Sequence, residues 1–200
     1  MADTYALLAG QIGLETAEQL VGLLQNSVNT DCKCIHLAIH SSGGSVPIAL
    51  ALANILQSLP CEIVTYNMGN VDSAAVIVFA AGTTRICARD AVFHTHPISK
   101  ELTGPQTADM LLSAAREIHA DTERVANYLS RQTTKTSPAE WKSLMSGANT
   151  ISACLAVKMG LADRIGEHRR SNTSELALES VPKIITSNMN RSVEPPVFKE

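Results

Sequence analysis

The apolar positions of this chain switch between a period of two and a period of three to four. Tyr5–Ala9 (YALLA) and Cys34–His40 (CIHLAIH) read as strands, and between them Leu20, Leu23 and Leu24 fall at helical spacing within Glu15–Gln25. That order is a β-α-β opening. After Gly43–Gly44, Ser45 is placed to cap a helix with Pro47 in its first turn, running to Ser58. Ile63–Tyr66 reads as a further central strand. A turn at Gly69–Asn70 then leads into a short apolar helix over Ser73–Ala81. Arg85–Ala88 and Ala91–His96 are strands joined around Arg89–Asp90, the spacing of a hairpin beside a parallel sheet.

Between Pro105 and Arg131 the residues Leu111, Ala115, Ile118, Val125 and Leu129 follow helical steps. They predict one long amphipathic helix that projects past a small domain unless something packs on it. Ser137-Pro138-Ala139-Glu140 is a capping box with proline at the first helical position, so another helix starts there. Ser152–Met159 is a last short helix stopped by Gly160, and Leu161–Ile165 a closing strand. The fold class is α/β, with helices covering the sheet. Residues 1–167 are expected to form one domain. Residues 168–200 are polar, and too few apolar groups remain there to offset ordering entropy, so a flexible tail is expected. Val181–Ile185 is a stretch that could add as a strand to a sheet edge.

Composition narrows the function classes. With 200 residues, 45% of them hydrophobic, the chain can bury one sizeable core. Sixteen basic residues against nineteen acidic ones, a net charge of -3, give no positive field to attract nucleic acid or anionic lipid. The apolar run Ala74–Gly82 is about half the length of a membrane span. The opening MADTYALLAG lacks the layout of a signal peptide, so a cytoplasmic location is expected. Five cysteines, an odd number without CxxC spacing, point to reduced thiols rather than a disulfide framework or a zinc site. No metal or cofactor is expected.

Candidate chemistry centres on a serine and two histidines. Ser73 falls where a strand and turn give way to an apolar helix, a place where exposed backbone N–H groups favour negative charge. Hydrolysis of an amide also needs a base near that hydroxyl, and histidine suits the proton transfer near neutral pH. His94 and His96 share a face of their strand, and spacing alone does not choose between them.

Several segments in a fixed order add weight: Ser41-Ser-Gly-Gly-Ser-Val46, Gly69-Asn-Val-Asp-Ser73, Ala80-Ala-Gly82, His96-Pro97, Gln106-Thr-Ala-Asp109, and Ser152-Ala153 with Gly160-Leu-Ala-Asp163. Over residues 5 to 167 this resembles the Clp protease proteolytic-subunit (ClpP) family of serine peptidases. The family's segments read SPGGSV, GQAAS, AAG, a histidine after a strand, GQATD, and SA with YGLVD. The resemblance implies a ClpP/crotonase-like spiral of β-α-β units with a protruding long helix. It also implies a hydrolase that cuts peptides or unfolded proteins inside a homo-oligomeric ring. Residue by residue it makes Ser73 the nucleophile, His96 the base, and the N–H groups of Gly44 and Ala74 the oxyanion hole; His94 becomes a supporting residue.

The resemblance has gaps. The family's third triad member is an aspartate, and its place falls on Ala148, with Asn149 beside it. Asn149 is the expected third member, because an amide oxygen can orient an imidazole although it stabilises imidazolium less. Asp72 and Asp90 are further carboxylates able to serve. The aromatic positions by which the family docks ATPase unfoldases correspond to His36, Ala38 and Ile86, which speaks against an ATPase partner. Two other readings compete with a peptidase of weakened triad. One is a non-catalytic structural subunit of the same fold. The other is a crotonase-like acyl-CoA enzyme, which polarises a thioester with the same paired N–H groups.

Overall fold

Among the residues described in the computed structural model, 3–29, 32–166 and 183–186, the chain begins as three successive β-α-β steps. β1 (Thr4–Ile12), α1 (Leu14–Asn29), β2 (Cys34–Gly44), α2 (Val46–Ser58), β3 (Glu62–Asp72), α3 (Ala75–Ala80) and β4 (Thr84–Cys87) follow one another, and each strand pairs parallel with the next. β5 (Val92–Thr95) pairs parallel with β3 beyond the end of β4. α4 (Ala108–Thr133) and α5 (Pro138–Ser146) come next, then β6 (Asn149–Ser152), which runs antiparallel to β5. α6 (Ala153–Met159) leads to β7 (Arg164–Ile165), parallel to β4. β8 (Lys183–Thr186) pairs with β1 at the far edge. The sheet runs β6-β5-β3-β2-β1-β8, with β4 and β7 branching from β3.

The strands form because alternate positions bury. Ala6, Leu8 and Ile12 of β1 and Ile35, Leu37 and Ile39 of β2 meet Leu20, Leu23 and Leu24 of α1 and Leu52, Ala53 and Leu56 of α2 in one core. Each fully buried leucine or isoleucine there contributes about 1.5–3 kcal/mol. Every residue of α3 is buried, so this helix is held on all sides by its neighbours rather than by an amphipathic stripe. Phe79 of α3 meets Phe93 of β5 edge to face at 4.9 Å between ring centroids, which ties the central helix to the strand that carries His94 and leads into His96.

Several expected elements differ. β2 and β3 do not end before their glycines: each runs 11 residues, through Gly43–Gly44 and Gly69–Asn70, because parallel neighbours supply backbone partners on both sides of an irregularity in the ladder, where Gly69 N–H donates instead to Asn67 Oδ1. The turn expected at Gly69–Asn70 is therefore strand. The hairpin expected around Arg89–Asp90 does not form either. β4 pairs with Val64–Asn67 and β5 with Asn70–Asp72, so the two lie end to end along the same strand. In the segment read as a flexible tail, residues 183–186 form β8; the rest of 168–200 lies outside the described residues.

α4 begins at Ala108, where the Thr107 hydroxyl accepts from the Met110 N–H. Its C-terminal half buries Val125, Ala126, Tyr128 and Leu129, whereas Met110, Leu111 and Leu112 are about half exposed. The helix thus protrudes as expected. α5 holds its end in place through Trp141, wholly buried, whose indole N–H donates to Thr133 Oγ1 at 3.1 Å. No described helix is long and apolar enough to cross a membrane.

Candidate active site

The turn between β3 and α3 places Ser73. Its φ is +54°, a left-handed value that side-chain-bearing residues rarely adopt and that stores about 1–2 kcal/mol. The strain is held by bonds on both sides: Ser73 N–H donates to the His94 carbonyl at 2.7 Å, and the Ser73 carbonyl accepts from Val76 N–H at 3.1 Å. Ser73 is thus not the first residue of the helix, as the apolar pattern suggested; Ala74 is the N-cap, and Ser73 stands in the turn before it.

The glycine pair of β2 runs directly against this turn. Gly43 has φ +84°, and a Cβ there would lie 2.6 Å from the Asp72 carbonyl oxygen, 2.7 Å from Ser73 Cβ and 2.9 Å from Ala74 N. Gly44 has φ +144°, and a Cβ there would lie 2.3 Å from the Ile12 carbonyl oxygen. Only glycine fits both positions. The segments carrying the two expected oxyanion donors, Gly44 and Ala74, therefore touch. Among the turn and cap hydrogen bonds of the described residues, none is donated by Ala74 N–H.

Of the two histidines, His96 shares a cleft with Ser73. The cleft is lined mainly by apolar side chains, Val46, Ile77, Ile98, Val125 and Met145 among them, with Thr95 beside His96. His96 Nδ1 lies 2.8 Å from the Pro97 carbonyl oxygen. A carbonyl only accepts, so Nδ1 carries the proton and Nε2 keeps its lone pair, the tautomer a general base requires. His94 is engaged elsewhere: its Nδ1 is 2.9 Å from Thr150 Oγ1, and its Nε2 is 3.9 Å from Asp72 Oδ1.

Asn149 is not joined to His96 by any hydrogen bond among the described residues. Its side-chain N–H donates to the Leu144 carbonyl at 2.8 Å, the same oxygen that Thr95 Oγ1 reaches at 3.0 Å, and so it fastens β6 to the end of α5. Asp90 is exposed in the connection between β4 and β5. Sequence reasoning missed Pro97 as an orienter because a main-chain acceptor leaves no residue signature. Thr150 could have been found from the alternation of β6. Among the described residues no three of His, Cys, Asp and Glu are gathered as a metal site requires.

A sequence model with the description Clp protease matches residues 2–169. The chain belongs to the Clp protease family. Curated family members similar to it include the ATP-dependent Clp protease proteolytic subunit of Bdellovibrio bacteriovorus, 33% identical over 84 residues, which cover 42% of this chain and 40% of that protein. The corresponding subunit 1 of Rhodopirellula baltica is 32% identical over 118 residues, 58% of this chain and 52% of that protein. The chain spans about half the length of these curated relatives. Among solved structures, a ClpP1 point mutant from Listeria monocytogenes superposes with a TM-score of 0.73 at 20% identity, covering 82% of this chain and 91% of that one. The fold is that of ClpP, a spiral of β-α-β steps around a mainly parallel sheet.

In this Clp protease fold the three positions compared with the family's docking aromatics are occupied as follows. His36 Nδ1 is 2.8 Å from the Tyr66 hydroxyl, and its ring stacks on Tyr5 at 4.5 Å, while Ala38 and Ile86 are buried. The tyrosines come from the neighbouring strands β1 and β3, which a reading of three positions alone did not bring together.

Proposed function

We propose that this chain is a serine peptidase that cuts peptides or unfolded chains inside a chamber built from copies of itself. The carrying observation is the shared cleft: a strained Ser73 and a His96 whose Nδ1 proton is committed to Pro97 both border it. In this reading Ser73 Oγ attacks the scissile carbonyl carbon while His96 Nε2 takes its proton. The oxyanion receives the N–H groups of Gly44 and Ala74, each worth about 3–4 kcal/mol of barrier. The C–N bond then breaks as His96 returns the proton to the departing amine, and water activated by the same base releases the acyl group.

The apolar lining supplied by Val46, Ile77, Ile98 and Met145 supports an aliphatic side chain next to the scissile bond. A neutral carbonyl at His96 holds the tautomer but stabilises imidazolium less than a carboxylate does. Turnover is therefore expected to be low, toward the loss of about 10⁴ that removal of the triad aspartate causes. The exposed Met110, Leu111 and Leu112 on the protruding half of α4 support contact with further copies.

A second reading, a non-catalytic subunit that keeps the fold and the assembly, is favoured by the missing carboxylate alone. A fluorophosphonate probe separates the two. Labelling of Ser73 in the wild type, absent in Ser73→Ala, is the expected result; an unlabelled wild type selects the second reading.

A further inference from the structure

Beside Ser73 lies a row of polar side chains that the proposed reaction does not use. Asp72 of β3, His94 of β5 and Thr150 of β6 are register partners, so they stand side by side across three strands. His94 Nδ1 touches Thr150 Oγ1 at 2.9 Å, while its Nε2 faces Asp72 Oδ1 across 3.9 Å, beyond hydrogen-bond reach. That carboxylate oxygen is buried and has no hydrogen-bond partner among the described residues. A buried acceptor left unpaired destabilises a fold, and such exceptions call for a specific explanation. The row is also tied twice to the turn that carries the nucleophile. Asp72 is the residue before Ser73, and the His94 carbonyl accepts the Ser73 N–H at 2.7 Å.

We propose that Asp72, His94 and Thr150 form a positioning row for Ser73 that closes when substrate enters the cleft, the Asp72 carboxylate taking the Nε2–H of His94. The inference rests on the reading of Ser73 as nucleophile. In the closed row the Thr150 hydroxyl is the donor to Nδ1 and the ring proton sits on Nε2, the one of the two tautomers that aims it at the carboxylate. Closure draws the Asp72 carboxylate onto the His94 ring, within strands that are already paired, and sets Ser73 Oγ for attack. The open gap is a resting arrangement in which stability is given up at a functional place. Asp72, His94 and Thr150 touch neither substrate nor the reacting atoms in this scheme; they are positioning residues.

The test uses the full chain with Asp72→Ala, His94→Leu and the double variant. Each single variant is expected to be phosphonylated at Ser73 by the fluorophosphonate, with loss of fluoride, about tenfold more slowly, well within the effect of misplacing a reacting group. KM for a peptide ester should not move. The double variant should be no slower than either single one, because residues acting as one unit lose their effect together. His94→Gln, which keeps an N–H directed at Asp72, should retain most of the rate. Asp72→Ala should also raise Tm while lowering the rate, since it removes an unpaired buried oxygen; a merely structural residue would lower Tm. Additive losses in the double variant, a lowered Tm in Asp72→Ala, or an unchanged phosphonylation rate would each overturn the proposal. If wild-type Ser73 is not labelled at all, the peptidase reading fails, and the row is decided by amide exchange at Ser73. That exchange should be about threefold faster in both single variants; equal exchange rates overturn the row.

Discussion

Ala148 has φ +49° and directly precedes Asn149, which pairs antiparallel with Thr95. Ala148 is the residue just before β6 and His96 the residue just after β5, so the two lie at the same end of the β5–β6 pair. Aspartate tolerates a left-handed backbone better than alanine does, so Ala148→Asp places a carboxylate beside the imidazole without added backbone strain. The expected result is a rise in kcat of about tenfold or more, bounded by the roughly 10⁴ that such a carboxylate is worth; KM for the same peptide ester checks that binding is unchanged. Asn149→Ala, in contrast, should leave kcat within about threefold while lowering stability by about 1 kcal/mol, the worth of its bond to Leu144. At Gly43 the close approach to Ser73 predicts that Gly43→Ala lowers stability by about 2 kcal/mol through forced left-handed strain and abolishes probe labelling. That Ser73 and His96 would border one cleft was legible because they stand in a string of motifs whose order is specific. The bond from His96 to the Pro97 carbonyl and the pairing of His94 with Thr150 were not, since the one involves main chain and the other joins residues 56 apart.

At the scale of elements, the segment between β5 and α4 borders the cleft through Ile98 and is fastened by Lys100 to Glu117 of α4. The hydrogen bond and charge of Lys100 hold the Glu117 carboxyl below its ordinary value. A carboxyl lowered in the folded state contributes above the ordinary glutamate range and loses that contribution as pH falls through the lowered value. Lys100→Ala should therefore speed thermolysin cleavage between residues 98 and 106 at pH 7 relative to wild type. Hydrogen exchange of the same segment should show no difference between the two at a pH below that lowered value. The capping box at Ser137 and Glu140 was legible to the residue, because both of its hydrogen bonds are local. The supposed hairpin shows the opposite case. Alternation reported two strands correctly, but partners are chosen by which backbone edge is free, and β3 is long enough to serve both.

Across the whole molecule, the α/β class and the protruding helix followed from periodicity, whereas composition argued for disorder in the segment of β8 even though its stretch Val181–Ile185 read as able to add to a sheet edge, which is where β8 pairs with β1. The exposed apolar turn of α4 carries the assembly part of the proposal. Leu111→Ser with Leu112→Ser should shift the protein to a smaller species in light scattering at equal concentration, with Tm of the single copy changed little; an unchanged mass removes α4 from the contact. The parallel core β1 to β4 is built from neighbours in sequence, each joined through one short helix. The β5–β6 pair, by contrast, closes only after α4 and α5 have been laid down between His94 and Thr150. Loop-closure entropy delays such distant pairing relative to the local units. On refolding, far-UV circular dichroism should recover ahead of probe labelling at Ser73. A chain whose Ser73 cleft is completed last would have no competent site of its own with which to cut itself while it is still folding.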